Sequence, residues 1–153
     1  MLETPWIAVL TALILWWAAT GVLLWRVHSA DRQGADAHLW SVLLFLPLLV
    51  GGLGVAHGTA HDASPAGVYA AFLSALAVWG WIELAFLSGV ITGPNSAPCP
   101  PGLAGWARFR AAFLTIAWHE AALVAALGFL FMVTWGGENA FAFYTFLLLF
   151  GAR

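Results

Sequence analysis

Lysine is absent from the chain, cysteine occurs once, and charged residues of all kinds make up 8% of the 153 positions. Each shortage excludes something. Five arginines against seven acidic residues leave a formal charge of −2, so there is no basic surface to neutralise nucleic-acid phosphates. A single cysteine, Cys99, cannot form an intrachain disulfide. Soluble domains carry about 25% charged residues, and this chain has too little polar surface to cover a water-exposed globule. The N-terminus, Met1-Leu2-Glu3-Thr4-Pro5, lacks the positive region of a cleaved signal. A phosphate-binding glycine loop, a nucleophile elbow, a Cys-x-x-Cys pair and a haem-attachment motif are all missing. No set of catalytic residues is identified.

What is present is apolar. Hydrophobic residues make up 63% of the chain, the mean hydropathy is +0.91 and there are ten tryptophans. The class is an all-α, polytopic integral membrane protein forming one transmembrane helical domain. Five spans are expected, near 5–27, 39–56, 66–92, 108–135 and 140–153. Thr4 and Ser64 are expected caps, with Pro5 and Pro65 at first helical positions. Thr20-Gly21 offers a place for close helix approach. The polar stretch His28–His38 reads as a loop. Pro47 and the nearby glycines Gly51, Gly52 and Gly54 predict a kink or close packing. Four prolines between Gly93 and Gly105 predict a stiff surface loop. Asn139 is an expected cap for the last run, which measures about 21 Å as helix against a hydrocarbon core about 30 Å thick. The natural chain is therefore expected to continue beyond Arg153.

Arginines border alternate loops only: Arg26 and Arg32, then Arg108 and Arg110, then Arg153. The positive-inside rule then places the N-terminus outside, on the periplasmic side of a bacterium. Cys99 would face a reducing cytoplasm as a free thiol.

Ionisable groups inside apolar runs need a reason, because a carboxylate at the centre of a membrane helix costs roughly 2.5–3.5 kcal/mol. Glu83 and the triplet Trp118-His119-Glu120 are such groups. Counting along continuous helices puts Glu83 about 15 Å and His119 about 20 Å into the membrane, so the two can meet across an antiparallel pair. Three readings stand open. A His–Glu hydrogen bond can simply hold two helices together. His119 can ligate the magnesium of a tetrapyrrole. Two carboxylates and one histidine can form a metal or proton-transfer site. Trp79, Trp81 and Trp118 either pack or line a pigment or quinone. His57, His61 and Asp62 have ligand chemistry, but Gly58 weakens any helix that would align them, and a wet turn is the simpler reading.

A series of blocks carries a resemblance. Gly80-Trp81-Ile82-Glu83, Ser88-Gly89-Val90-Ile91-Thr92-Gly93-Pro94, Cys99-Pro100-Pro101-Gly102 and Gly105-Trp106-Ala107-Arg108-Phe109 come first. His119-Glu120, Thr134-Trp135-Gly136-Gly137-Glu138-Asn139 and Thr145-Phe146 follow in order. Over about 66–150 the chain resembles the photosynthetic-complex assembly family encoded beside the reaction-centre H subunit in purple phototrophic bacteria (PuhE-like). Glu138 stands where relatives are expected to carry proline. The resemblance implies residence in the bacterial inner, intracytoplasmic photosynthetic membrane. It implies reaction-centre and light-harvesting subunits as partners, along with pigment-synthesis proteins and the lipid bilayer. It also implies a longer chain, with further segments after Thr145-Phe146. The expected role is an assembly factor or accessory subunit that binds or delivers bacteriochlorophyll, with Glu83, His119, Glu120, Trp118 and Trp81 as candidate cofactor-binding residues. The alternative is a membrane subunit of a bacteriochlorophyll-synthesis enzyme, with a metal or quinone at Glu83, His119 and Glu120.

Overall fold

A computed structural model describes residues 5–98 and 100–152. The expectations for Thr4, Cys99 and Arg153 fall outside those residues. The described chain is helical throughout: α1 (Pro5–Asp31), α2 (Ala35–Leu44), α3 (Leu46–Gly58), α4 (Pro65–Leu87), α5 (Gly105–Phe113), α6 (Ala117–Thr134) and α7 (Phe141–Ala152). Four stretches are long and apolar enough to cross a membrane: Trp6–Asp31, Asp36–Gly58, Pro65–Leu87 and Ala117–Thr134.

Local chemistry explains most of the boundaries. α1 runs on past its apolar part and stops near Gly34, whose φ of 105° breaks the helix. The expected loop His28–His38 is therefore mostly helix. His38 Nε2 lies 3.2 Å from Asp31 Oδ1 and ties the two helix ends together. Pro47 carries no N–H for the helix ladder, and the chain turns at Phe45, between α2 and α3. Ser64 caps α4, its Oγ accepting from the Gly67 N–H at 3.2 Å, with Pro65 opening the helix. α4 ends at Leu87 rather than near Thr92, because Gly89 takes φ 72° and the N–H groups of Val90 and Ile91 fold back onto the Ala85 carbonyl.

One expected span is corrected. The apolar run 108–135 is not one helix. It divides into α5 and α6, separated at Leu114–Ile116. The segment after α4 causes the division. Gly93 lies against the break so closely that a Cβ there would sit 2.1 Å from the Leu114 carbonyl oxygen. The Asn95 N–H donates to that same carbonyl at 3.1 Å, and the His119 N–H donates to Thr92 O at 3.0 Å. α7 has 12 residues among those described, about 18 Å of helix.

α4 is the hub. Gly52 of α3 touches it so closely that a Cβ would meet the Ser74 carbonyl at 2.9 Å. Gly51, Gly54 and Gly21 face open space. α7, although short, is clamped by Ala142 and Phe146, both fully buried in the cluster with Val78, Leu123 and Leu130. At the far end of the bundle two loops are latched. The Asn139 N–H donates to Ala60 O at 2.9 Å and its Nδ2 to Asp62 O at 2.9 Å. Its Oδ1 accepts from the Phe141 N–H at 3.1 Å, capping α7.

Gly93→Ala drives a methyl into a backbone carbonyl. It should cost about 1–3 kcal/mol, read as a lowered unfolding midpoint in detergent. Gly80→Ala, which meets nothing within 4 Å, should leave the midpoint unchanged or raise it. Asp62 supplies a second test. Hydrogen bonding to Ser64, by side chain and by backbone, holds its carboxyl below the ordinary value of 3.8. Its contribution is complete above that value and is lost as pH falls through the lowered folded value. Asp62→Asn should remove that component from a melting-temperature profile taken downward from pH 6.

Candidate functional site

Glu83 and His119 reach each other from different helices. Glu83 lies four residues before the end of α4, and His119 is the third residue of α6. His119 Nε2 stands 3.8 Å from Glu83 Oε1, with side-chain exposures of 3% and 15%. That separation is an ion-pair contact, longer than a hydrogen bond. The imidazole also lies flat on Phe86, with ring centroids 4.1 Å apart and planes 23° apart. Phe86 follows Glu83 by three residues, so the same helix face carries both. The bond from His119 N–H to the Thr92 carbonyl anchors the first turn of α6 and so fixes the imidazole.

Glu120 and Ile116 from the start of α6, and Phe150 from α7, complete an open groove of about 460 Å³ around the pair. Of the residues expected from sequence, the structure brings together Glu83, His119 and Glu120. It does not bring the tryptophans. Trp81 Nε1 donates to the Val42 carbonyl at 3.0 Å and faces α1 and α2 in a separate apolar cleft. Trp118 is 60% exposed, and Trp79 packs in the core. Phe86, Ile116, Phe150 and Thr92 belong to the site without having been singled out. Phe86 was discoverable from its three-residue spacing to Glu83, whereas Thr92 carries no signal of its own.

The depth is also different. The break before α6 returns His119 to the beginning of a helix, and Glu83 lies only about 6 Å from the end of its own. The pair therefore sits near one end of the bundle, where a carboxylate costs less than at the bilayer centre.

The geometry limits what the site can hold. A histidine that ligates a planar magnesium macrocycle needs an open edge in front of a ring nitrogen. His119 is 2% exposed, stacked on Phe86, with Nε2 turned to Glu83. In this arrangement its residues do not fit an axial ligand. Among the described residues, no three His, Cys, Asp or Glu side chains converge to hold a metal. A carboxylate beside an imidazole can share a proton, and the groove with Glu120 is open to a small polar group.

Comparison with known proteins gives two findings. A family model described as "Protein of unknown function (DUF3623)" matches residues 2–153, which extends the resemblance over the first helices. The chain is also 47% identical, over 152 residues and 99% of its length, to a protein of Rhodobacter capsulatus named "Uncharacterized 30.4 kDa protein in puhA 5'region". The chain spans 56% of that relative's length. No solved structure matches.

A double-mutant cycle of Glu83→Ala and His119→Ala, followed by unfolding in detergent, should give a coupling energy of about 0.5–2 kcal/mol. Strictly additive losses would show that the two side chains do not interact.

Proposed function

The chain belongs to this family of proteins of unknown function (DUF3623), and from that premise we propose that it is a membrane accessory or assembly subunit of a bacterial photosynthetic complex. Its place would be the inner, intracytoplasmic membrane, and its partners the reaction-centre and light-harvesting subunits. The observation that carries the reading is the 47% identity across nearly the whole chain to a protein encoded in the puhA 5' region, puhA being the gene of the reaction-centre H subunit. The fold suits such a role. α1 packs by only a narrow face, leaving Trp6, Trp17 and Trp25 more than half exposed, which offers neighbouring membrane helices a broad apolar side.

The arginines support one orientation of the chain in the membrane. Arg26, Arg32, Arg108 and Arg110 all lie at the end of the bundle where α1 and α4 finish and α6 starts. The latched loops at the other end carry no arginine. The positive-inside rule then puts the N-terminus in the periplasm. His119 is not placed to ligate the magnesium of bacteriochlorophyll, because the edge of its ring is closed. A second reading, a subunit of a pigment-synthesis enzyme, draws on one observation: Glu83, His119 and Glu120 share an open groove that could take the polar head of a quinone.

The test is purification from the native membrane in mild detergent, with an absorption spectrum and identification of the co-purifying chains. Reaction-centre and antenna polypeptides with near-infrared bacteriochlorophyll bands are expected, and His119→Phe should leave those bands in place. A colourless preparation without these partners would overturn the accessory-subunit reading. Loss of pigment synthesis in Glu83→Gln, with the association intact, would favour the enzyme reading.

A further inference from the structure

α5 is not part of a membrane span. α6 alone has 18 residues, about 27 Å of helix, which nearly matches a hydrocarbon core about 30 Å thick. Joined in line, residues 105–134 would measure about 45 Å and overshoot it. None of the α5 residues is buried. What α5 carries is a stripe. At about 100° per residue, Trp106, Phe109 and Phe113 fall within about 60° of each other on the helix. Their rings follow one another at 4.9 Å and 6.3 Å, and they are 75%, 56% and 45% exposed. Another side of α5, with Ala107, Ala111 and one edge of Trp106, faces the proline-rich loop across a shallow cleft. The Asn95 Nδ2 holds that face by donating to the Ala111 carbonyl at 3.4 Å. Arg110 borders the stripe beside the loop, and Arg108 points away from both.

Two further observations say what covers the stripe. From Leu84 to His119 the chain contains no acidic residue, so Arg108 and Arg110 give this segment a formal charge of +2, with Glu83 and Glu120 bordering it. The helix also sits where α4 ends and α6 begins, the level at which a spanning bundle meets the headgroups. An aromatic stripe bordered by an arginine at that level matches an anionic lipid surface.

We propose that α5 is an interfacial anchor that docks on an anionic lipid leaflet. The rings of Trp106, Phe109 and Phe113 enter the boundary between headgroups and acyl chains, Arg110 at the edge of the stripe meets the lipid phosphates, and Arg108 faces water. This anchor holds the proline-rich loop against the membrane and braces the break that positions His119. It rests on the helix geometry alone and stands whatever the partner complex proves to be.

The experiment uses the full chain in lipid nanodiscs, with Cys99→Ser as background and a spin label at Phe109→Cys or Arg108→Cys. Collision with oxygen and with a water-soluble nickel chelate reports depth. In bilayers of phosphatidylcholine with phosphatidylglycerol, the label at 109 should collide with oxygen and be shielded from the chelate, while the label at 108 meets the chelate. Trp106→Cys supplies an independent position with the same expected result. Arg110→Gln should reduce the docked population roughly fivefold in the anionic bilayer, and should matter little in pure phosphatidylcholine. Equal chelate access at 108 and 109 in both bilayers would overturn the proposal. Shielding of 109 from both reagents would overturn it in favour of a protein partner. Oxygen access at 109 equal to that of a mid-α6 position such as Val124→Cys would show a spanning segment instead.

Discussion

A backbone carbonyl left over at a helix break and covered by protein must find a donor, because an unpaired buried carbonyl is costly. The Leu114 carbonyl meets this requirement through the Asn95 N–H, and much of the structure depends on that contact. It requires Gly93, since any side chain there would collide with the same oxygen. It brings the segment after α4 across to α6, so that Thr92 can accept from the His119 N–H. The imidazole thus starts a helix instead of lying within one, facing Glu83 with Phe86 beneath its ring.

The parts of the fold that were legible in the sequence are those set by neighbouring residues. Ser64-Pro65 starts a helix, Pro47 interrupts one and Asn139 caps one, each for reasons contained within a few positions. The break at 114–116 was not legible. From Trp106 to Leu127 the chain has neither glycine nor proline, and the interruption comes from a contact with residues about 20 positions earlier in sequence. The Glu83–His119 pair was legible because ionisable groups are so scarce in these runs that they must find one another. The tryptophans were misjudged for a geometric reason. Trp81 precedes Glu83 by two residues, about 200° around the helix, so it had to point to the opposite side, where it bonds Val42. Trp118 is about 100° from His119 and turns outward.

The two ends of the bundle differ in character. The arginine-bearing end contains the helix break, the ionisable pair, the proline-rich loop and an uncovered aromatic helix. The opposite end is closed by hydrogen bonds between loops, and Gly137 fits there because a Cβ would come within 2.3 Å of the Ala60 carbonyl. Rigidity at one end and open, chemically varied surface at the other suit a protein that holds its own shape while presenting one side to something else.

The Asn139 latch also bears on how the protein is made. Its side chain joins residues 77 positions apart, Asp62 and Asn139. With synthesis at about 5–20 residues per second, the first loop waits roughly 4–15 s for its partner to leave the ribosome. Until then α4 and the loop before it are in the membrane with the Ala60 and Asp62 carbonyls exposed to water. The latch therefore closes only after the second hairpin has been made, and it fastens that hairpin to the first across 77 positions of chain.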